Sequence, residues 1–467
     1  MIEFPSTLIE PGIGYWRTAK IDEDGFPVSL SFHDDSKIGC IGSIHPATVT
    51  GLDTNSDIAF LSLGKDQDGS MLSGMMNLRR AKQLVKGPVH SIADCLQEGQ
   101  KLMVQVLSEP ASFDNKSLIV TPKPRLDGRY VSVEAGASRL NFSKDLGPKT
   151  IKGLKAPLTE LTENVAIIVR SRAANIAVEI VIQEAEWLAA AITDKSGFTM
   201  PAMAKALISI TEGTEPVYID NKALCVEARK LAHNKWPDIA ERIEPYQGSG
   251  ATSAFEEYGV EEAIEDALAD QIPLPSGGWI SIHQTPALTS IDVNMGGALQ
   301  QMSAAEAKLT VNMEAALAIA HHLRFQDIGG LIVVDFIDMS GKGTAAKLLE
   351  LFDKALKDDP VPVRRSGISM FGLVEMSRQR KGVSLRDRYQ VQAAPVMRIR
   401  EQALKLLRTA QHIGNSNEPG TVILQASVAV CGWFDENKHV ITELEANTHR
   451  IVELRSGKDD VYIEAKS

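Results

Sequence analysis

The sequence predicts a multidomain α/β protein, and three observations carry that prediction. The chain has 467 residues, room for two to four domains of roughly 100–200 residues each. Between Gly39 and Pro122 short strand-like runs follow one another with turn signals, the pattern of a small barrel or sandwich. From Trp279 onward strand-like and helix-like segments alternate, which implies a layered sheet. Charged residues at 23% and hydrophobic residues at 44% are ordinary values for packed domains and exclude wholesale disorder.

Taken in order, residues 1–38 alternate loosely, with Gly25-Phe26-Pro27 marking a hairpin. Strands are expected at Ile44 to Val49, Ile58 to Leu63, Lys101 to Leu107 and Ser117 to Val120, with Asp66 to Gly69 as a turn. The period then changes. Ala166 to Val169 reads as a strand, Asn175 to Ile192 repeats Ile176, Ile180, Trp187 and Leu188 at helical spacing, and Met200 to Ile210 reads as a helix. Residues 216–267 are expected to alternate until a helix at Glu261 to Asp270, and Pro275-Ser276-Gly277-Gly278 breaks the chain. Strands follow at Trp279 to Ile282 and Leu288 to Val293, then a long helix from Ala304 to Phe325 stopped by Gly329-Gly330. The near-continuous apolar run Leu331 to Ile337 comes next, and then a helix from Thr344 to Lys357. A helix at Val396 to Ala410 and strands at Thr421 to Val430, Arg450 to Leu454 and Val461 to Ile463 complete the reading.

Lys and Arg number 49 against 60 Asp and Glu, a formal net charge of −11. This argues against holding nucleic acid by bulk charge but allows a local basic groove. No apolar run approaches the ~18 residues of a membrane helix, and Met1-Ile2-Glu3-Phe4-Pro5 does not open like a signal peptide. Cys40, Cys95, Cys225 and Cys431 are far apart, as expected of reduced thiols in a cytoplasmic protein without a sequence-local zinc clip.

Two acids stand out by their company. Asp335 interrupts the apolar run 331–337, and Asp292 interrupts 289–293. A carboxylate in a strand that reads as buried is costly unless something neutralises it. Either the two form a hard-oxygen site for Mg²⁺ or Mn²⁺, or each caps a turn or pairs with an arginine. Asp338 reads as a cap or turn acid. The segment Ser340-Gly341-Lys342-Gly343-Thr344 superficially suggests a phosphate-binding loop, but Phe336 and Gly343 stand where that motif requires Gly and Ser or Thr. His321-His322 diverge by ~100° on a helix and cannot share a metal. They read as a helix-surface pair.

The strings SGGWISIHQTPALTSIDVN (276–294), GGLIVVDFIDM (329–339) and FGLVEMSRQR (371–380) closely resemble the catalytic core of the RNase E/G endoribonucleases. GSIHPATVTGLDTNSDIAFLSLG (42–64) and LQEGQKLMVQVLSEPASFDNKSLIV (96–120) resemble that family's S1-type OB barrel. VAIIVRSRA (165–173) resembles its 5′-end sensor, and RIEPYQGSG (242–250) falls where the family has a comparable stretch. The resemblance implies an RNase-H-like layer from 1–38 and 216–267, interrupted by an OB barrel (39–122) and a sensor domain (123–215). A DNase-I-like catalytic subdomain (268–391) and a small C-terminal α+β domain (392–467) follow. It places the metal-binding aspartates on Asp292 and Asp335 and the site asparagine on Asn294. The implied chemistry is Mg²⁺-dependent hydrolysis of single-stranded RNA, with Mn²⁺ as substitute, to 5′-phosphate and 3′-hydroxyl ends in rRNA processing or mRNA decay.

By the same resemblance Arg170 and Ser171 fall on the pair that binds a 5′-monophosphate and Gly128 on a pocket glycine. Pro362 replaces a second sensor arginine, although Arg364 and Arg365 are near in sequence, so weakened end sensing is expected. Lys116 matches a basic RNA-contacting position of the barrel or is a solvated turn lysine. Arg378 and Arg380 contact RNA phosphates, brace the site or are surface charge on a helix. Ser70-Met71 stand where the family has a phenylalanine. Residues 381–396 carry no cysteine in place of the family's C-P-x-C motif, so no structural zinc is expected and any homo-oligomer would lack a zinc link. The chain stops at Ser467, so no degradosome-scaffolding tail is expected, as in a short RNase G-like form, and no membrane partner either. The rival reading is a drifted, non-catalytic RNA-binding relative.

Overall fold

The structure is a computed structural model that describes residues 2–34, 39–65, 71–108, 117–136, 138–248, 252–285, 287–297, 303–339, 343–380, 382–391, 396–397 and 399–465. Three strands open the chain: β1 (Ser6–Pro11), β2 (Tyr15–Ile21) and β3 (Pro27–Asp34). They form an antiparallel meander. The predicted hairpin joins β2 to β3, and Asp22 Oδ1 accepts from the Asp24 and Phe26 amides, at 3.0 and 2.8 Å.

A closed barrel comes next, built from β4 (Ile44–Asp53), β5 (Ile58–Lys65), β6 (Met71–Asn77), β7 (Lys101–Ser108) and β8 (Leu118–Thr121), with α1 (Leu78–Ala81) after β6. Ala47, Val49, Ala59, Leu61, Leu63, Met76, Val104, Val106 and Val120 fill it. The sequence reading found four of the five strands. The fifth, β6, reads Met71-Leu72-Ser73-Gly74-Met75-Met76-Asn77, with no alternation and no β-branched residue, a weak strand signal.

The third region pairs β9 (Arg125–Asp127), β10 (Val131–Ala135), β11 (Arg139–Phe142) and β12 (Val165–Val169) into one sheet, with α2 (Pro148–Leu161) between β11 and β12. α3 (Val178–Thr193) and α4 (Ala202–Ser209) follow. The chain then returns to the first sheet. β13 (Val217–Ile219) pairs parallel to β1, and β14 (Ile243–Pro245) parallel to β13. The segment between them, expected to alternate as strand, is instead helix: α5 (Lys222–Lys235) and α6 (Pro237–Ala240). Its buried residues Cys225, Ala228 and Ala232 are small, so a helical stripe exists but carries little apolar contrast. Short helices α7 (Ala254–Glu257) and α8 (Val260–Leu268) close this part.

The next sheet, in the order β15-β16-β17-β18-β20-β19, positions the candidate site. Its strands are β15 (Ile272–Pro273), β16 (Trp279–Gln284), β17 (Thr289–Asn294), β18 (Gly330–Asp335), β19 (Val363–Ile368) and β20 (Leu373–Arg378). The long helix α9 (Ala304–Phe325) connects β17 to the parallel β18, and α10 (Thr344–Leu356) follows. Ser303 caps α9 reciprocally with Glu306. Val311, Ala315, Ile319 and Leu323 of α9, with Leu348 and Phe352 of α10, pack on Ile280, Ile291, Ile332, Val334 and Val374 of the sheet. The chain ends with α11 (Leu385–Tyr389), the pair β21 (Gln390–Val391) and β22 (Val396–Met397), α12 (Ile399–Gly414), β23 (Thr421–Ala426), α13 (Val428–Glu436), α14 (Lys438–Thr448), β24 (Val452–Ser456) and β25 (Asp460–Glu464). The strand expected to reach Val430 ends at Ala426. Ser427 accepts from the Val430 amide and starts a helix there.

His321 and His322 are not a surface pair. His322 is buried, and His321 stacks on Phe325 with ring centroids 5.5 Å apart, at the end of α9 that packs on β3. Burial pushes His322 down to about 3, helped by His321. Burial also holds His321 at about 4, with Arg324 adding and Asp22 opposing, and His33 at about 4, with Lys205 adding and Asp34 opposing. These groups stay neutral in the folded chain below their ordinary 6.5, so the unfolded chain binds more protons there. Stability is therefore full above pH 6.5 and falls as pH drops toward 4. Urea midpoints at pH 7 and pH 5 should show a loss of about 2 kcal/mol per buried histidine, and substituting His322 by Gln should reduce the difference.

Candidate active site

Parallel pairing of β17 with β18 sets Asp292 directly beside Asp335. Residues level with each other in adjacent strands project to the same face, and both carboxylates are exposed. This corrects the sequence reading, which placed them in buried strands. Along β18 only Ile332 and Val334 are buried, while Leu331 and Asp335 are exposed. The sheet carries α9 and α10 on one face, so an apolar-looking run is split between core and open surface. The same row continues to Ser281 on β16 and Leu373 on β20, and the adjacent row holds His283, Ser290, Val333 and Glu375. Asn294 closes the group: its Nδ2 donates to Asp292 Oδ2 at 2.6 Å. Asp338 lies in the segment after β18, with Oδ1 against Gly372.

Three contacts fix this corner from below. Asn312, fully buried on α9, donates from Nδ2 to the Ile337 carbonyl at 2.8 Å and accepts from the Ile337 amide at 3.0 Å. That clamp ties the chain leaving Asp335 to the crossover helix. Sequence reasoning missed it, although an asparagine amid Val311, Ala315 and Ala316 on a core-facing stripe was a readable signal. Glu314 Oε2 accepts from the Ser276 amide at 3.0 Å and its hydroxyl at 2.7 Å. The Gly278 position shows why this turn needs glycine, since a Cβ there would meet the Asn294 carbonyl at 2.8 Å and Val311 Cγ1 at 2.9 Å.

Among the described residues neither aspartate is ion-paired, and no cluster of three His, Cys, Asp or Glu residues could hold a metal ion. Two adjacent carboxylates and an amide nonetheless form a hard-oxygen set that fits a divalent ion taking its remaining ligands from water and phosphate.

Arg378 is used internally. Its Nε donates to Asp359 Oδ2 at 2.9 Å, and its NH1 to Asp327 Oδ1 at 2.8 Å and the Ile328 carbonyl at 3.0 Å. It is 4% exposed, the last residue of strand β20 rather than part of a helix, and braces that end of the sheet without a face for an RNA phosphate. Arg380 is exposed beyond the strand, donating to the Gly329 carbonyl at 3.2 Å. Arg365 is held by Asp353, at 2.8 Å from Nε, and Arg364 is exposed on β19. Lys116 and Ser70 lie outside the described residues. Met71 opens β6 and is exposed.

Arg170 and Ser171 sit at the end of β12, where Ser171 starts a short 3₁₀ turn. Arg170 donates from Nε to Ser132 Oγ at 2.9 Å and pairs with Asp127 Oδ1 at 2.7 Å. Arg125 also holds Asp127, at 2.9 Å. Burial pulls the Asp127 carboxyl up, but the Ser132 hydrogen bond, Arg170 and Arg125 outweigh it and leave it below its usual range. Gly128 follows directly. A Cβ there would fall 2.7 Å from the Glu184 carboxyl carbon, and Glu184 accepts from the amides of Arg129, Tyr130 and Val131 at 2.7–3.0 Å and from Trp236 Nε1 at 2.7 Å. A buried carboxylate thus shapes the turn beside Arg170.

The sequence profile described as the ribonuclease E/G family matches residues 125–381, more than half of the chain. Ribonuclease G of Haemophilus influenzae is 28% identical over 387 residues, 78% of this chain and 77% of that protein. Ribonuclease G of Salmonella typhimurium is 25% identical over 92% of each. Ribonuclease E of Escherichia coli K12 is 30% identical over 73% of this chain, which is 34% of that longer protein.

The Asn312 clamp is open to a direct test. Asn312→Ala leaves the half-buried Ile337 amide and carbonyl without their partner, at a cost of about 1–3 kcal/mol. Urea denaturation should show the loss, and Asn312→Asp should recover no more than the half of the clamp that accepts.

Proposed function

The chain belongs to the ribonuclease E/G family, and from that premise we propose that it is an endoribonuclease acting on single-stranded RNA at Asp292, Asn294 and Asp335. One observation carries the reading. The strand register forces two like charges side by side, an arrangement that is destabilising by itself and becomes favourable when a cation lies between them. Asp292 and Asp335 would hold Mg²⁺, with Mn²⁺ as an alternative; when bound, such an ion polarises the phosphodiester and lowers the pKa of the attacking water. Asn294 fixes the Asp292 carboxylate through Nδ2 and keeps it in register with Asp335. Water adds to phosphorus, the P–O3′ bond breaks and O3′ leaves with a proton, giving 5′-phosphate and 3′-hydroxyl ends. No ribose 2′-hydroxyl takes part, so preference for RNA resides in binding.

The meander β1–β3 extended by the parallel β13 and β14 supports an RNase-H-like layer from residues 1–38 and 216–267. The β15–β20 sheet supports a DNase-I-like catalytic subdomain over 268–391. The closed barrel over 39–122 is OB-like, and 123–215 and 392–467 are assigned as sensor and C-terminal domains. In this reading the chain is cytoplasmic, works in rRNA processing or mRNA decay, and forms any oligomer without a zinc link. No helix among the described residues is long and apolar enough to cross a membrane.

End-labelled, A/U-rich single-stranded RNA should be cut internally in Mg²⁺. EDTA should stop cutting, and Asp292→Asn or Asp335→Asn should slow it at least ~100-fold, while DNA of the same sequence stays intact. Undiminished cutting by either variant would remove that residue from the site. Relief of the like-charge contact should raise the melting temperature of Asp335→Asn in EDTA by about 1–3 °C. Mg²⁺ should raise that of the parent chain alone.

For the 5′ end, Arg170 must leave Asp127 to meet a terminal phosphate, so we propose weak sensing. The parent should prefer 5′-monophosphorylated over 5′-hydroxyl RNA by less than ~10-fold. Asp127→Asn, which frees the Arg170 guanidinium, should widen that ratio, and Arg170→Ala should abolish it. An unchanged ratio in both variants would place the phosphate elsewhere.

A further inference from the structure

Four residues join β19 to β20, and they hold a large apolar pair out in water. Met370 is 90% exposed and Phe371 77%, and among the described residues no phenylalanine is more exposed. The turn itself is well fixed. The Ser369 amide donates to the Leu373 carbonyl at 2.8 Å, and the Gly372 amide to the Ser369 carbonyl at 3.0 Å. Ser369 Oγ accepts from the Phe371 and Leu373 amides at 3.3 and 3.2 Å. Gly372 takes φ +83°, a value that glycine adopts without strain. A ring displayed on a braced turn loses little conformational freedom when it meets a partner.

Position says what the partner is. Leu373 lies level with Asp335 in the sheet, and Gly372 abuts Asp338. With adjacent strands ~4.8 Å apart and at most ~3.5 Å per residue along the chain, the Phe371 backbone lies within roughly 10 Å of Asp335. That is the reach of a nucleotide next to a phosphodiester held at the carboxylates. We propose that Phe371, flanked by Met370, is a stacking platform for an unpaired base neighbouring the scissile phosphate. The proposal rests on the nuclease reading and deepens it. An aromatic face accepts any base and adds ~1–3 kcal/mol per stacked base, while a base already paired and stacked in a duplex cannot present its face. The platform thus provides a preference for single strands without positive charge, which an acidic chain has little of to spare, and the adjacent Met thioether adds a soft, adaptable contact.

The test uses the full chain carrying Asp292→Asn, to separate binding from cutting, and fluorescence anisotropy with a labelled single-stranded RNA of about ten nucleotides. Phe371→Ala should weaken binding about 5- to 100-fold, and Phe371→Trp should restore it to within two-fold. A single abasic nucleotide moved through the RNA should, at one position only, erase the difference between Phe371 and Ala. A structural role for the ring would not produce that positional signature. Equal affinity of the Ala variant, or a deficit independent of abasic position, overturns the platform while leaving the nuclease reading standing. A dimer in sedimentation velocity that dissociates on Phe371→Ala overturns it in favour of a contact between copies. Absence of both RNA binding and RNA cutting in the parent chain overturns the nuclease reading and the platform with it.

Discussion

The register between β17 and β18 is the constraint on which the candidate site depends. Side chains in a strand alternate between faces, so a slip of one residue would send Asp292 into the helical core and bring Val293 out. The apolar residues on either side prevent that slip. Ile291 and Val293 on one strand, and Ile332 and Val334 on the other, are all buried against α9 and α10, and burying side chains of this size is worth about 1.5–3 kcal/mol each. The energy that keeps two carboxylates side by side therefore comes from the opposite face of the sheet. The acids are tolerated because the core is strong, and in the proposed reading a bound cation would relieve their mutual repulsion.

The same logic explains why the corner is built from polar clamps below and left open above. Asn312 and Glu314, both on α9, reach the segment that leaves Asp335 and the turn that leads into β16, where Trp279 lies level with Asn294, so one helix braces the chain on either side of the site. Arg378 locks the far end of the sheet by joining Asp327 to Asp359. Residues 384–389, in the stretch that carries no zinc motif, bind the β15–β20 sheet to the first sheet instead. Ser384 Oγ donates to Gln284 Oε1 at 2.8 Å, and Arg388 pairs with Asp34 at 2.6 Å. Each clamp is buried or half-buried, where hydrogen bonds to charged groups are worth most.

Much of this was readable from the sequence where one physical signal dominated. Strands bounded by turn residues and the long capped helix α9 were found nearly to the residue, because periodicity and capping agree there. Residues 222–235 were misread because their buried stripe is Cys225, Ala228 and Ala232, small side chains that give a helix little amphipathic contrast. Residues 428–430 were misread because Val428 and Val430 suggest strand, whereas the Ser427 cap decides for helix. The aspartates were singled out for a reason that was wrong in detail. Their apolar neighbours implied burial, but only every second neighbour is buried. Which acids lie level depends on a pairing between segments some forty residues apart, and local pattern carries no information about register. Arg378 illustrates the complementary limit, since a basic residue beside a candidate site looks the same in sequence whether it faces solvent or two acids that hold it in place.

An acidic chain that handles a polyanion has to place its favourable contacts locally, and the arginines show how far this goes. Arg17 is buried against Glu10 and Glu261, Arg129 against Asp238, Arg388 against Asp34 and Arg378 against Asp327 and Asp359. These pairs organise the fold and contribute no positive face to the surface. Even Arg170, at the proposed phosphate pocket, is half-committed to Asp127. Screening favours this arrangement, because contacts made by diffuse charge weaken steeply with salt, whereas the proposed cation-bridged carboxylate pair and base-stacking ring would depend on it far less. Affinity assembled from such contacts would be selective for a strand that can offer an unpaired base and a phosphate at one fixed spacing, a spacing that the strand pairing of β17, β18 and β20 would set.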